Sequence, residues 1–230
     1  MIHILLVTVL VGMNEQLSAQ IAGKQVDSLF GLDPLLYNGK YYYYLPPYGT
    51  EGTPFLFPAH DTQASVMIRG VIYRGLTLNY DILNQQVILQ YTRQDQGVAQ
   101  ISLSEAWLEE FELFGRKFRL VNTEDTLRKI AEVTGKGRLC IYTLWSRDLV
   151  LKSSAGYTRW AFSKEKARMF LVTVAERCSF HNRRTFLKCL PEESRKSLRS
   201  LMQKEGIRFR TADKADWEKL LLYTEGRGTQ

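Results

Sequence analysis

Ser65-Val66-Met67-Ile68-Arg69-Gly70-Val71-Ile72-Tyr73-Arg74-Gly75-Leu76-Thr77-Leu78-Asn79-Tyr80-Asp81 is the stretch on which the fold turns. Its apolar runs are too short for an ordinary helix, are rich in β-branched and aromatic side chains, and are punctuated by glycine. Val66 to Ile68 leads to Gly70, Val71 to Tyr73 runs into an expected turn at Arg74-Gly75, and Leu76 to Tyr80 follows. Gln86 to Thr92 and Val98 to Leu103 continue at the same close spacing, which predicts an antiparallel meander. Val87, Leu89 and Tyr91 alternate with Gln86, Gln90 and Thr92, the pattern of a sheet buried on one face. Phe111 to Phe114 and Phe118 to Val121 read as a hairpin turning at Gly115-Arg116.

Further along, Leu127, Ile130 and Ala131 fall at helical spacing. With Asn122 or Thr123 as cap and Gly135 beyond the end, they predict a short helix over Thr123 to Val133. Strand patterns resume at Arg138 to Trp145, Leu149 to Lys152, Tyr157 to Phe162 and Met169 to Ala175. Leu139, Ile141 and Thr143 oppose Cys140, Tyr142 and Leu144; both sets are largely apolar, which predicts a central strand. The tail changes period. A helical turn over Thr185 to Leu190 precedes Pro191, then comes a helix over Glu192 to Lys204 with Leu198, Leu201 and Met202 inward. A second helix, capped by Thr211, turns Trp217, Leu220, Leu221 and Thr224 inward. The expected fold is mainly β (α+β): an antiparallel curved sheet, or two packed sheets, with a C-terminal helical hairpin. It is expected as one domain over residues 24 to 230, with Gly135-Lys136-Gly137 as a candidate sub-boundary.

At the N-terminus, Ile2 to Gly12 is an apolar run broken only by His3 and Thr8, and Leu17-Ser18-Ala19 is a small-residue exit before Gln20. That pattern predicts a signal peptide over residues 1 to 19 and an exported, periplasmic or outer-membrane-associated protein. The alternative is a buried first strand or helix. The run falls short of the roughly 20 residues that cross a bilayer, so no transmembrane span is expected.

The chain has 230 residues, of which 45% are hydrophobic and 12% aromatic, enough to bury a substantial core. Its net charge of +7 is concentrated: Arg159 to Arg210 holds fourteen basic and five acidic residues, a local +9, and the remainder sums to −2. Such a block would suit nucleic acid, yet no recognition motif accompanies it, and export directs it toward an envelope protein or an anionic lipid surface. Within the block Arg195, Lys196 and Arg199 lie on the helix of residues 192 to 204 and are candidate partner contacts. Tyr41 and Tyr43, from the run Tyr41-Tyr42-Tyr43-Tyr44, are the other candidates, because alternate residues of an extended chain share a face.

Catalytic and metal chemistry leave no signature. Past the leader the histidines are His60 and His181, neither in a metal-spaced cluster; His60-Asp61 has no nucleophile motif beside it, and the Gly49 to Gly52 segment lacks a phosphate-binding lysine. No cofactor and no metal ligand are expected. Cys140, Cys178 and Cys189 are too few for a disulfide framework; Cys178 and Cys189 could pair in an oxidising compartment, or all three could be buried small side chains.

The order of several elements resembles an uncharacterised family of exported β-rich envelope proteins of Gram-negative bacteria. The elements are Leu36-Tyr37-Asn38-Gly39, Gly52-Thr53-Pro54-Phe55, Gly70 to Gly75 with Tyr73, Tyr80-Asp81, Ile101 with Leu103, Phe111 to Phe118, and Phe186-Leu187 with Leu190-Pro191. A tyrosine expected just after Gly75 is missing here. The resemblance implies export and a β-rich fold, and brings no activity, ligand or catalytic residue with it. The expected function is a non-enzymatic envelope protein that binds a protein partner or an anionic surface. Alternatives are a carrier holding a lipid or other apolar ligand in the concave face of the sheet, and an envelope hydrolase.

Overall fold

A computed structural model describes residues 32–93, 95–122, 128–154, 156–173 and 176–227. The expected signal peptide lies outside these residues. Among the described residues thirteen strands and three helices follow in chain order: β1 Lys40–Tyr41, β2 Asp61–Ile68, β3 Val71–Asp81, β4 Gln86–Thr92, β5 Val98–Ser102, β6 Leu108–Leu113 and β7 Arg116–Asn122. After these come β8 Arg128–Thr134, β9 Cys140–Ser146, β10 Leu149–Ser154, β11 Tyr157–Phe162, β12 Lys166–Val172, β13 Arg177–Phe180, α1 Arg183–Lys188, α2 Glu192–Lys204 and α3 Lys214–Arg227. Eleven strands form one antiparallel sheet in the order β1-β5-β4-β3-β2-β6-β7-β8-β9-β12-β13; β10 and β11 form a separate two-stranded sheet. The sheet runs without interruption across Gly135-Lys136-Gly137, because β8 pairs with β9 through Glu132–Thr143 and Thr134–Ile141. The antiparallel, β-rich architecture with C-terminal helices is therefore the one expected.

Three details differ from the expectations. First, β3 passes straight through Arg74-Gly75, and the turn lies one hairpin earlier at Arg69-Gly70, where both residues have positive φ (49° and 78°). That is the twist a two-residue hairpin needs. The hairpin between β6 and β7 uses the same geometry at Phe114-Gly115, one residue before the expected position. Gly75, at φ 68°, is the unpaired residue of a bulge: Ala64 pairs with Leu76 and Ser65 with Arg74, so the strand bends there.

Second, the described part of the helix expected over Thr123 to Val133 is strand. Thr123 to Leu127 lie outside the described residues, and Arg128–Thr134 is strand β8, hydrogen-bonded between β7 and β9. Ile130 and Ala131 are both buried, on opposite faces of the strand. Burial on both faces destroys the alternation that would have marked a strand, and the residual spacing imitates a helix. Third, α3 is capped by Asp213, not Thr211. The Asp213 carboxylate accepts from Asp216 N–H at 2.9 Å while Asp213 N–H donates to the Asp216 carboxylate at 3.3 Å, a reciprocal box.

The sheet is strongly curled. Tyr80 on β3 lies 5.7 Å, ring to ring, from Phe118 on β7, although β2 and β6 stand between their strands. Three strand spacings of a flat sheet would hold them about 14 Å apart. Phe111 and Phe118 stack at 4.8 Å within this first core, together with Leu78, Leu89, Leu108 and Leu113. A second core lies where Ile141, Leu171 and Phe180 meet the helices, through Phe186, Leu187, Leu198, Met202, Trp217 and Leu220. Cys178 and Cys189 are joined in a disulfide that ties β13 to the end of α1. Replacing both cysteines by serine is expected to lower stability by about 2–3 kcal/mol, as the short loop they close implies. Urea denaturation should show that loss, and a reductant should reproduce it in the native protein while leaving the variant unchanged.

Candidate docking surface

The Asp81 carboxylate is fully buried at the end of β3. It accepts from Leu83 N–H and Asn84 N–H (both 2.9 Å), from the Asn84 amide and from the Tyr42 hydroxyl (both 2.8 Å). The Tyr42 hydroxyl is driven well above the usual phenol range by burial, then by the adjacent Asp81 charge and its hydrogen bond. Asn79 donates to Phe57 O and Ala59 O, so β3 also holds the incoming 53–60 loop. Glu132 on β8, nearly buried, accepts from Arg116 Nε at 2.8 Å and from Trp145 Nε1 at 2.7 Å. Arg116 in turn lies over the rings of Phe57 and Trp145. Arg147 donates to Thr53 O (2.5 Å), Phe55 O (3.1 Å) and Glu165 (3.0 Å).

Each of these groups fastens one segment to another. Arg147 ties the end of β9 to the 53–55 segment, and Gln85, from the β3–β4 turn, donates to Trp145 O at 2.9 Å, so the curled sheet is locked across its open side. His60 packs on Phe55, with the Gln100 amide nitrogen 3.4 Å from its Nε2, and burial lowers its pKa. Asp61 is committed elsewhere, accepting from Gln63 N–H (2.9 Å) and Phe114 N–H (2.5 Å). His60 and Asp61, adjacent in sequence, thus make two separate structural contacts. Among the described residues no cluster of three or more potential metal ligands occurs, and no helix is long and apolar enough to cross a membrane. The concave interior between β3 and β7 is occupied by Tyr80, Phe111 and Phe118, where an apolar cargo would have to lie.

The surface residues divide differently. Tyr41 and Tyr43 share one side of the extended segment that continues β1, with ring centroids 6.2 Å apart, and are 58% and 82% exposed. Their neighbours turn inward: Tyr42 reaches Asp81, and Tyr44 packs toward Phe162 at 6.2 Å. The alternation read in the tyrosine run therefore holds, and the exposed set continues to Leu45 and Tyr48. Beyond them Glu51 pairs with β11: its N–H donates to Trp160 O (3.0 Å) and its carbonyl accepts from Phe162 N–H (2.9 Å). Residues 41–51 thus form a strap from the edge of the large sheet to the β10–β11 hairpin. Hydropathy alone does not single out Leu151 or Trp160, since each belongs to a run of a kind that strands normally bury.

The three basic candidates on α2 separate. Lys196 and Arg199 are exposed, one turn apart. Arg195 is half-buried, and its guanidinium donates to Leu190 O (2.9 Å) and Lys188 O (3.3 Å), where it satisfies carbonyls at the end of α1. Arg195 is therefore a fastener, set apart from the exposed cations by its position on the flank of the inward stripe. Arg195→Ala is expected to cost about 1 kcal/mol of stability, whereas Lys196→Ala stays within about 0.5 kcal/mol, both read from urea midpoints. No family model matches the chain, and neither the curated proteins nor the solved structures yield a match.

Proposed function

We propose that this is an exported, non-enzymatic protein of the cell envelope that docks on an acidic surface, an envelope protein or an anionic lipid face, through its helical layer. The observation that carries this reading is a concentration of exposed cations on the helical layer. Between Arg183 and Arg210 nine basic residues face three acidic ones. There Arg183, Arg184, Lys188, Lys196, Arg199 and Arg208 are exposed and make no ion pair among the described residues.

Uncompensated like charges raise the free energy of the folded chain, and an anionic partner removes that cost on contact. The hydrophobic stripe of α2 is already occupied: Leu198 and Met202 are buried in the second core, so the charged face is what the layer offers. Export is supported by the apolar leader together with the Cys178–Cys189 disulfide, a bond that persists in oxidising compartments. Asp81, Asn79, Glu132 and Arg147 each fasten one segment to another, which supports a role in binding in preference to one in catalysis.

The test is charge reversal away from the fasteners. Lys196→Glu with Arg199→Glu is expected to weaken retention on envelope membranes by on the order of tenfold or more at low salt, and the difference should shrink as salt is raised. Sedimentation with membrane fractions at two ionic strengths measures it. Unchanged retention at low salt, in a variant with the native melting temperature, would rule out the helical layer as the docking face.

A further inference from the structure

The β10–β11 hairpin stands apart from the large sheet and has two chemically distinct faces. Leu149 opposes Phe162, Leu151 opposes Trp160, and Lys152 opposes Arg159. Opposed residues share a face and successive residues alternate, so Leu151 and Trp160 lie on the apolar face that begins with Leu149 and Phe162, while Lys152 and Arg159 lie on the other. Phe162 is buried at the base, but further out Leu151 is 58% exposed and Trp160 37%, while Tyr157, on the other face near the tip, is 75% exposed. A hairpin serving only as a connection has no use for exposed Leu and Trp side by side; apolar area of this kind marks contact surfaces.

The charges on the other face are as informative. Two cations placed directly opposite on paired strands repel one another. Arg159 is answered by Glu51 at 2.5 Å, while Lys152 makes no ion pair among the described residues, and residues 149–162 contain neither Asp nor Glu. A second exposed apolar set precedes the strap's junction with β11. Glu51 is bonded along the edge of β11, and just before it in the strap Leu45 is 91% exposed and Tyr48 fully so. Trp and Tyr rings beside Lys and Arg, with a small aliphatic area and no free carboxylate, match the chemistry of the anionic membrane interface. There aromatic rings sit at headgroup level and cations meet phosphates.

We propose that the β10–β11 hairpin, together with the strap residues Leu45 and Tyr48, is an interfacial anchor for an anionic bilayer. The hairpin meets the bilayer tip first, so that Leu151 and Trp160 on one face enter the headgroup region and Lys152 on the other meets a lipid phosphate. This rests on the anionic docking reading above and narrows its partner to lipid. Long-range attraction by the helical layer is screened by salt, whereas partition of the hairpin is not, so the two contributions separate by ionic strength.

The experiment uses the full chain with vesicles of phosphatidylcholine alone and of phosphatidylcholine mixed with phosphatidylglycerol, read by co-sedimentation and by tryptophan quenching with brominated acyl chains. The native protein is expected to bind the phosphatidylglycerol vesicles and to keep a bound fraction at high salt. Leu151→Ser with Trp160→Ser should lower partitioning by about tenfold or more and abolish the salt-resistant fraction. Trp160→Phe should remove most of the quenching without loss of fold, and Lys152→Glu should weaken binding several-fold at low salt. If the native protein binds these vesicles yet the double serine variant binds equally and Trp160 is not quenched, the hairpin is not the anchor, although the docking reading survives. If it ignores both vesicles but is retained on envelope membranes in a way that Lys196→Glu with Arg199→Glu abolishes, the lipid assignment fails and a protein partner is indicated. Failure to bind vesicles or membranes overturns both.

Discussion

Tyr80 on β3 touches Phe118 on β7 over two intervening strands, and the contact exists because the sheet curls until its own inner face becomes the core. A flat sheet of this length would leave that face wet. The bulge at Gly75 bends the long strand β3, and the Asp81 carboxylate at its end gathers Tyr42 and the β3–β4 turn around it. Glu132 and Arg147 then hold the curl from the other side, by way of Arg116, Trp145 and the 53–55 segment. Buried charges of this kind contribute little net stability beyond what apolar side chains would, but once present they cannot lose a partner cheaply. They specify which strand ends meet.

The curl has a consequence for the surface. Closing one part of the sheet on itself leaves its far strands, β9, β12 and β13, without a facing layer, and α1 to α3 cover them. Their apolar stripes go inward and their cations outward. The strap of residues 41–51, which runs from the sheet edge to β11, is stretched over the opening with alternate side chains unable to turn in. Tyr41, Tyr43 and Leu45 are exposed for that geometric reason. Charge and apolar exposure therefore sit on different parts of the molecule, one long-range and screened by salt, the other short-range.

Most strands were legible because alternation and glycine punctuation are local signals. The turn positions in the first hairpins were off because Arg69 and Phe114 accept a left-handed conformation that residue type does not advertise, while Gly75, which looks like a turn, serves a bulge. Strand β8 imitates a helix in sequence because burial on both faces leaves no alternation to find. Spacing alone does not decide the pairing of Cys178 with Cys189, because it says nothing of how β13 and α1 approach. Of the candidate contacts, Tyr41, Tyr43, Lys196 and Arg199 are exposed as read. Arg195 is not, since its bonds to carbonyls of α1 depend on an interhelix angle absent from the sequence.

By itself the sequence determined the class of the molecule: an antiparallel, β-rich chain with a basic helical tail, since period, punctuation and charge are properties of neighbours along the chain. Tertiary structure decided which of those residues meet. Whether an arginine faces solvent or closes a helix end, and whether a tyrosine is core or rim, depends on partners far away in sequence. Only the curl of the sheet brings those partners within a few ångströms.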